Sequence, residues 1–204
     1  MSSIAFDYWR TNYNSLGVKE HSDIYDLSYS KDPTHASFSG RAVRVFLNQT
    51  GGNPHVAEIG GRNGALAKVA LESTPTIKKW TNYEICGAAV CADIVNDSRY
   101  ETKLMTDFKW WRQEKIEGDI LIMSHFIEHI SDEDLTFLIS LIPSNIIGVH
   151  VQSPIAMQGP NNWKGFNGAH ILSMGWLEVN NEFVKNSFRS IKAYDGASWI
   201  RIKK

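Results

Sequence analysis

The stretch HVAEIGGRNGALAKVAL, His55 to Leu71, puts one acid, Glu58, near the end of a short apolar run, followed by three glycines, Gly60, Gly61 and Gly64, within five residues. Glycine lets a backbone turn sharply and approach a ligand with no Cβ in the way. A helix starting after such a turn adds free N–H groups and a partial positive charge. Glu84 closes WTNYEI, 20 residues after Gly64. An acid at that place accepts hydrogen bonds from the vicinal hydroxyls of a ribose. Asp107 and Phe108 follow a third strand-like run and offer an acceptor for an exocyclic amine and a ring to lie on a base. GDILIM then opens into Ser124, His125, Glu128 and His129. Together these make a site for an adenosine with a compact tail that lacks phosphate.

Two commoner nucleotide sites are disfavoured. A dinucleotide fingerprint needs G-x-G-x-x-G; counted from Gly60, the third position is Arg62 and the sixth is Ala65. A phosphate-binding loop of the Walker type needs Gly-Lys-Ser/Thr before its helix, and the chain has Asn-Gly-Ala there.

The elements that must position these groups alternate. Strands are predicted at His55–Ile59, Trp80–Ile85, Thr102–Thr106, Asp119–Met123, Ile146–Val151 and Ser187–Ala193; Ala197–Ile202 closes a hairpin after YDGAS. Helical spacing appears at Val43, Phe46 and Leu47, and again at Leu66, Val69 and Ala70. The clearest helix follows Ser131, an N-cap with acids in the first turn. Leu135, Leu138, Ile139 and Ile142 make its apolar face before Pro143 stops it. Strands alternating with helices predict an α/β domain on a mostly parallel sheet. Ligands of such sheets sit beyond the carboxyl ends of the strands, where all the groups above fall.

Composition narrows the class. A length of 204 residues favours one domain. The formal net charge of −1 supplies no basic field for nucleic acid or anionic lipid. No uncharged run approaches the roughly 20 residues of a membrane span, and MSSIAFDYWRTNY lacks the basic and apolar regions of a secretion signal. Cys86 and Cys91 have no second pair at metal-ligand spacing and read as reduced, buried small residues. The expectation is a soluble cytoplasmic domain with no metal, nucleic-acid or membrane partner.

These residues resemble the class I S-adenosylmethionine-dependent methyltransferases. VAEIGGRNGALA is similar to that family's first motif, E-x-G-x-G-x-G. YEI resembles its ribose acid, TDF its adenine-binding acid and DILIMSHFIEHI its fourth-strand motif. The resemblance covers about Arg41 to Ser153 and continues loosely to the final hairpin. It implies a Rossmann-like seven-stranded sheet, order 3-2-1-4-5-7-6, with helices on both faces and only the seventh strand antiparallel. It implies S-adenosylmethionine as cofactor, held by Glu58, Gly60, Gly61, Arg62, Gly64, Glu84, Asp107, Phe108, Ser124 and His125, with Glu58 facing the methionine end. Residues 1–40 would be a helical lid or extension, 41–153 the cofactor-binding core, and 154–204 an acceptor-side segment with the hairpin. The chain departs at Arg62, where the family usually has its middle glycine. Either an arginine sits there at positive φ, costing on the order of 1 kcal/mol, or the loop bends differently and Arg62 helps hold the methionine carboxylate.

The implied activity is methyl transfer to a small molecule, with a leaning to O-methylation of a sugar or similar metabolite. An oxygen acceptor needs deprotonation, for which His125 and His170 are the candidate bases. Each site residue also has a plainer reading. Glu58, Glu84 and Asp107 could be acids that merely end strands. His129 is expected to face the following helix, and His150, inside IIGVHVQ, to be structural. Trp110 and Trp111 of KWWRQEK could stack on bases, but read better as packing on the sheet edge. FDYWRTNYNS could be a lid, a homodimer contact or simple packing. The rivals are a methyltransferase for RNA or protein, disfavoured by SHFI where an N/D-P-P-Y tetrad would stand, a non-catalytic protein on the same fold, and a nicotinamide oxidoreductase.

Overall fold

The computed structural model describes residues 35–107, 109–153, 171–193 and 196–202, with Thr11, Ser15, Gly17 and Lys19 as isolated positions. Most of the expected lid, Phe108, and residues 154–170 with His170 lie outside the described residues.

Helix α1, His35–Thr50, buries Val43, Phe46 and Leu47 and ends where Gly51 and Gly52 take positive φ. It is followed by β1 (His55–Ile59), α2 (Ala65–Ser73), β2 (Lys79–Glu84), the short α3 (Gly87–Cys91) and β3 (Tyr100–Leu104). Then come β4 (Ile120–Ser124), α4 (Asp132–Leu141), β5 (Gly148–Gln152), α5 (Trp176–Lys185), β6 (Phe188–Ala193) and β7 (Gly196–Arg201). Single turns of 3-10 helix lie at Trp110–Arg112 and Ile127–His129. Ser131 caps α4 as its sequence predicts, its Oγ accepting from the Asp134 N–H at 3.1 Å.

The seven strands form one sheet in the order β3-β2-β1-β4-β5-β7-β6. β1 to β5 pair in parallel, and β7 runs antiparallel to both β5 and β6. This is the sheet that the resemblance implies. The inner strands are near-continuous apolar runs because both faces are covered. One face packs Val56, Trp80, Ile120 and Ile122 against α1 and α2. The other packs Tyr83, Leu121, Val149 and Trp199 with Leu135 and Leu138 of α4 and Phe183 of α5. β3 is an edge strand, half exposed along its length, and begins two residues earlier than predicted because its polar residues give little apolar signal. Among the described residues no helix is long and apolar enough to cross a membrane.

Candidate active site

The chain leaves β1 through a turn whose conformations explain its glycines. Gly60 and Gly64 have φ of 74° and 78°. Gly61 is required by space: a Cβ there would lie 2.5 Å from the Glu58 carboxyl and 2.7 Å from Asn82 Oδ1. Arg62 also adopts the left-handed conformation, φ 52°, so the first of the two alternatives for this position is the one observed.

Glu84 ends β2 beside this turn and is 3% exposed. Its Oε2 accepts from the Arg62 N–H at 2.7 Å, and its Oε1 accepts from the N–H groups of Ile85 and Cys86 at 2.8 and 2.9 Å. A carboxylate offers about four acceptor directions. The backbone takes three and fixes the group's orientation, leaving acceptor capacity toward the cleft.

Strand alternation puts Glu58 on the α2 face rather than in that cleft. It is 2% exposed, in register with Asn82, and accepts from Trp80 Nε1 at 2.8 Å. Burial pushes its pKa up to about 8; the Trp80 hydrogen bond opposes this and the Glu84 charge adds to it. The acid of the first motif therefore lies beneath the glycine turn.

The cleft opens at the carboxyl ends of β1, β2 and β4. Its rim carries Gly60, Arg62, Glu84, His125 and His129; its apolar wall is Ile59, Tyr83, Ile85, Cys86 and Ala89 with Trp110, Trp111 and Phe126. The tryptophans belong to both core and site: Trp110 stacks on Tyr83 with centroids 4.6 Å apart, and Trp111 meets Phe126 edge-on. The sequence reading placed them on the sheet edge, and their position right after TDF was the signal that they border the site. Small Cys86 and Ala89 line the cleft beside Glu84. An acid with one acceptor direction left for a ribose hydroxyl, next to an apolar wall, fits an adenosine.

Across the cleft, His125 follows β4 with φ 51° and its N–H donates to the Gln152 carbonyl at 2.7 Å. Its Nδ1 lies 3.5 Å from Glu128 Oε1. Glu128 is 2% exposed, and its Oε2 accepts from Ser153 Oγ at 2.9 Å. Burial alone would raise the Glu128 pKa, but the His125 hydrogen bond and the charges of His129 and His125 outweigh it and hold it below the ordinary carboxylate value. His129 joins the cleft instead of facing the next helix, because Ile127–His129 is a 3-10 turn and α-helical spacing does not apply.

Gly60, Arg62, Glu84 and His125 are thus brought together, while Gly61, Gly64 and Glu58 lie behind the turn. Asp107 is exposed, beyond the end of β3, and its Oδ1 accepts from the Lys109 N–H at 2.9 Å. Ser124 lies outside the cleft wall with its Oγ buried and without a hydrogen-bond partner. His150 is fully buried as expected, its Nδ1 2.6 Å from Ser198 Oγ. Cys86 is buried but Cys91 is exposed at the end of α3, a departure from the expected burial of both. No group of three or more potential metal ligands occurs among the described residues.

No family model matches the chain, and no curated protein matches it significantly. Solved structures do. Human N-acetylserotonin methyltransferase, in complex with S-adenosylmethionine, superposes with a TM-score of 0.67 at 16% identity, over 100% of this chain and 60% of that one. Magnesium protoporphyrin IX methyltransferase from Synechocystis, with bound S-adenosylhomocysteine, gives 0.67 at 12% identity over 96% and 97% of the two chains. The mitomycin 7-O-methyltransferase gives 0.60 at 15% identity over 93% and 62%. The chain thus spans about three-fifths of the length of the first of these and nearly all of the second. Strand order, the single antiparallel strand and these superpositions agree: the fold is that of the class I S-adenosylmethionine-dependent methyltransferases.

Proposed function

We propose that this protein is an S-adenosylmethionine-dependent methyltransferase acting on a small-molecule acceptor through oxygen, with sugars and similar hydroxylated metabolites as the first acceptors to try. The observation that carries this reading is Glu84, locked by three backbone N–H groups between the glycine turn and an apolar wall. Glu84 would accept from a ribose hydroxyl; Ile85, Cys86, Ala89 and the Trp110 side would pack on the adenine; Arg62 would face the methionine carboxylate. S-adenosylmethionine bound there supplies a methyl group already activated by its positive sulfur.

The chain's own residues then align an acceptor and manage its proton. Glu128 holds the imidazole of His125 through Nδ1, which puts the basic lone pair on Nε2. At Nε2 His125 takes the hydroxyl proton, and Ser153 keeps Glu128 in place from behind. The Ile171 and Leu172 N–H groups donate to the Glu128 carbonyl at 2.9 and 3.3 Å. The chain that follows residues 154–170 therefore docks on the same residue that orients the base. His170 is a second candidate base, and residues 1–40 a candidate lid.

Calorimetric titration with S-adenosylmethionine and S-adenosylhomocysteine tests the reading. Both should bind, and ligand at 100 times its dissociation constant should stabilise the fold by about 2.7 kcal/mol, a rise in Tm of roughly 5–10 °C. Failure of both to bind at millimolar concentration would end the enzyme reading.

A further inference from the structure

We propose that Asn82 is a positioning residue: with Glu84 it clamps Arg62 in the left-handed conformation and so sets the shape of the cofactor turn without a glycine at its centre. An L-residue at positive φ is disfavoured because its Cβ crowds the following carbonyl oxygen, so something must hold Arg62 there. Both ends of the residue are held. Its N–H donates to Glu84 Oε2 at 2.7 Å, and its carbonyl accepts from Asn82 Nδ2 at 2.9 Å. The preceding N–H, of Gly61, donates to Asn82 Oδ1 at 2.9 Å. One turn thus presents a donor and an acceptor to the same side chain, and a primary amide is the group that answers both at once. These backbone partners also fix which way the amide points.

The clamp is anchored from below. Asn82 is fully buried, and its Nδ2 also reaches the Tyr100 hydroxyl at 3.2 Å. Thr102 Oγ1 bonds that hydroxyl at 2.8 Å and Asp93 Oδ2 at 2.7 Å. The absent Cβ of Gly61 is what lets Asn82 approach so closely. The result is a turn that keeps a left-handed bend yet carries a guanidinium on the cleft wall. The value of that charge for binding rests on the methyl-donor reading; the clamp itself does not.

The test separates the two. In the ligand-free protein, amide exchange of Arg62 reports the clamp, because its N–H is bonded to Glu84 and not to Asn82. Asn82→Ala should speed exchange at Arg62 about tenfold or more while Leu138 in α4 keeps its protection. Asn82→Ser, which can still serve one of the two backbone groups, gives an intermediate effect and a fallback should the alanine variant not fold. Unchanged Arg62 exchange in a folded variant overturns the proposal. The second readout is S-adenosylhomocysteine affinity. Asn82→Ala should weaken it about tenfold in the native background but less than about threefold in the Arg62→Gly background, where positive φ needs no clamp. Equal losses in the two backgrounds overturn it. If the native protein binds no ligand yet Arg62 exchange rises, the clamp stands and the methyl-donor reading falls.

Discussion

The two halves of the sheet treat their buried polar groups differently. On the β1–β2 side, Glu58, Asn82 and Glu84 are each hydrogen-bonded to Trp80 or to the backbone of the turn. Exceptions there include Asn63, buried in the turn with neither amide atom bonded, and Thr74 Oγ1 at the end of α2. On the β4–β5 side, Ser124 Oγ, Gln152 Oε1 and His150 Nε2 are buried with no hydrogen-bond partner. Ser124 and Gln152 are register partners, and His150 lies two residues below Gln152 on the same sheet face. An unmade bond on a buried polar atom costs about 1–3 kcal/mol. The satisfied half holds one shape through its own hydrogen bonds. The unsatisfied groups lie outside the cleft wall, on the sheet face where His150 packs against Phe46 of α1.

The contrast breaks if Glu84 is not the keystone of the first side. Glu84→Ala should weaken S-adenosylhomocysteine binding more than about 100-fold if Glu84 is the ribose acceptor proposed, and, by orphaning three N–H groups, should cost about 2–4 kcal/mol of stability. Calorimetry and urea denaturation read these separately, and retention of near-native affinity would sink the assignment. The second side makes a different prediction. His125→Ala and Glu128→Gln should lower kcat about 100-fold or more while changing cofactor affinity less than about threefold, measured with the first acceptor found. An equal loss of affinity would put His125 with the cofactor instead.

Two buried titratable groups, one on each side, sharpen the comparison through pH. Burial raises Glu58 to about 8, above its ordinary 4.5, so the folded state binds the extra proton between those values and stability falls as pH rises through that window. Burial lowers His150 to about 4, below its ordinary 6.5, so stability falls as pH drops from 6.5 toward 4. Urea midpoints across pH 4–8 should therefore peak near the middle of the range. Glu58→Gln should flatten the alkaline limb and His150→Gln the acid limb; between 4.5 and 6.5 the two slopes cancel, so the alkaline limb to pH 8 is on the order of 2 kcal/mol and the acid limb is smaller. The smallest expected effect lies outside the cleft: Ser131→Ala, which removes the α4 cap, should cost about 1 kcal/mol and leave ligand binding unchanged.

Much of the fold was legible because buried parallel strands are apolar runs that few other elements imitate. β1, β2 and β4 fall within one residue of their predicted bounds. β3 slipped because an edge strand reading YETKL has no apolar face to mark it. α1 extends beyond the predicted Arg41–Leu47 because its first residues, HASFSG, carry no helical spacing. In the site, Glu84 and His125 were legible from their places after strands. The orientation of Glu58 was written in the alternation of β1, since it is in register with Asn82 and opposite in facing to Ile59. What could not be read were groupings made by distant parts of the chain: Asn82 beneath Arg62 and Ser153 behind Glu128.

The sheet order also bears on how the molecule is made. β7 leaves the ribosome after β6 yet lies between β6 and β5. Until it emerges, β5 presents an open row of unpaired N–H and carbonyl groups on an apolar strand, the kind of edge that recruits other chains. Closing the sheet then requires the β6–β7 hairpin to dock as a unit. Changes in that hairpin will therefore act first on the fraction of chains that reach the folded state, and only second on how long a finished molecule lasts.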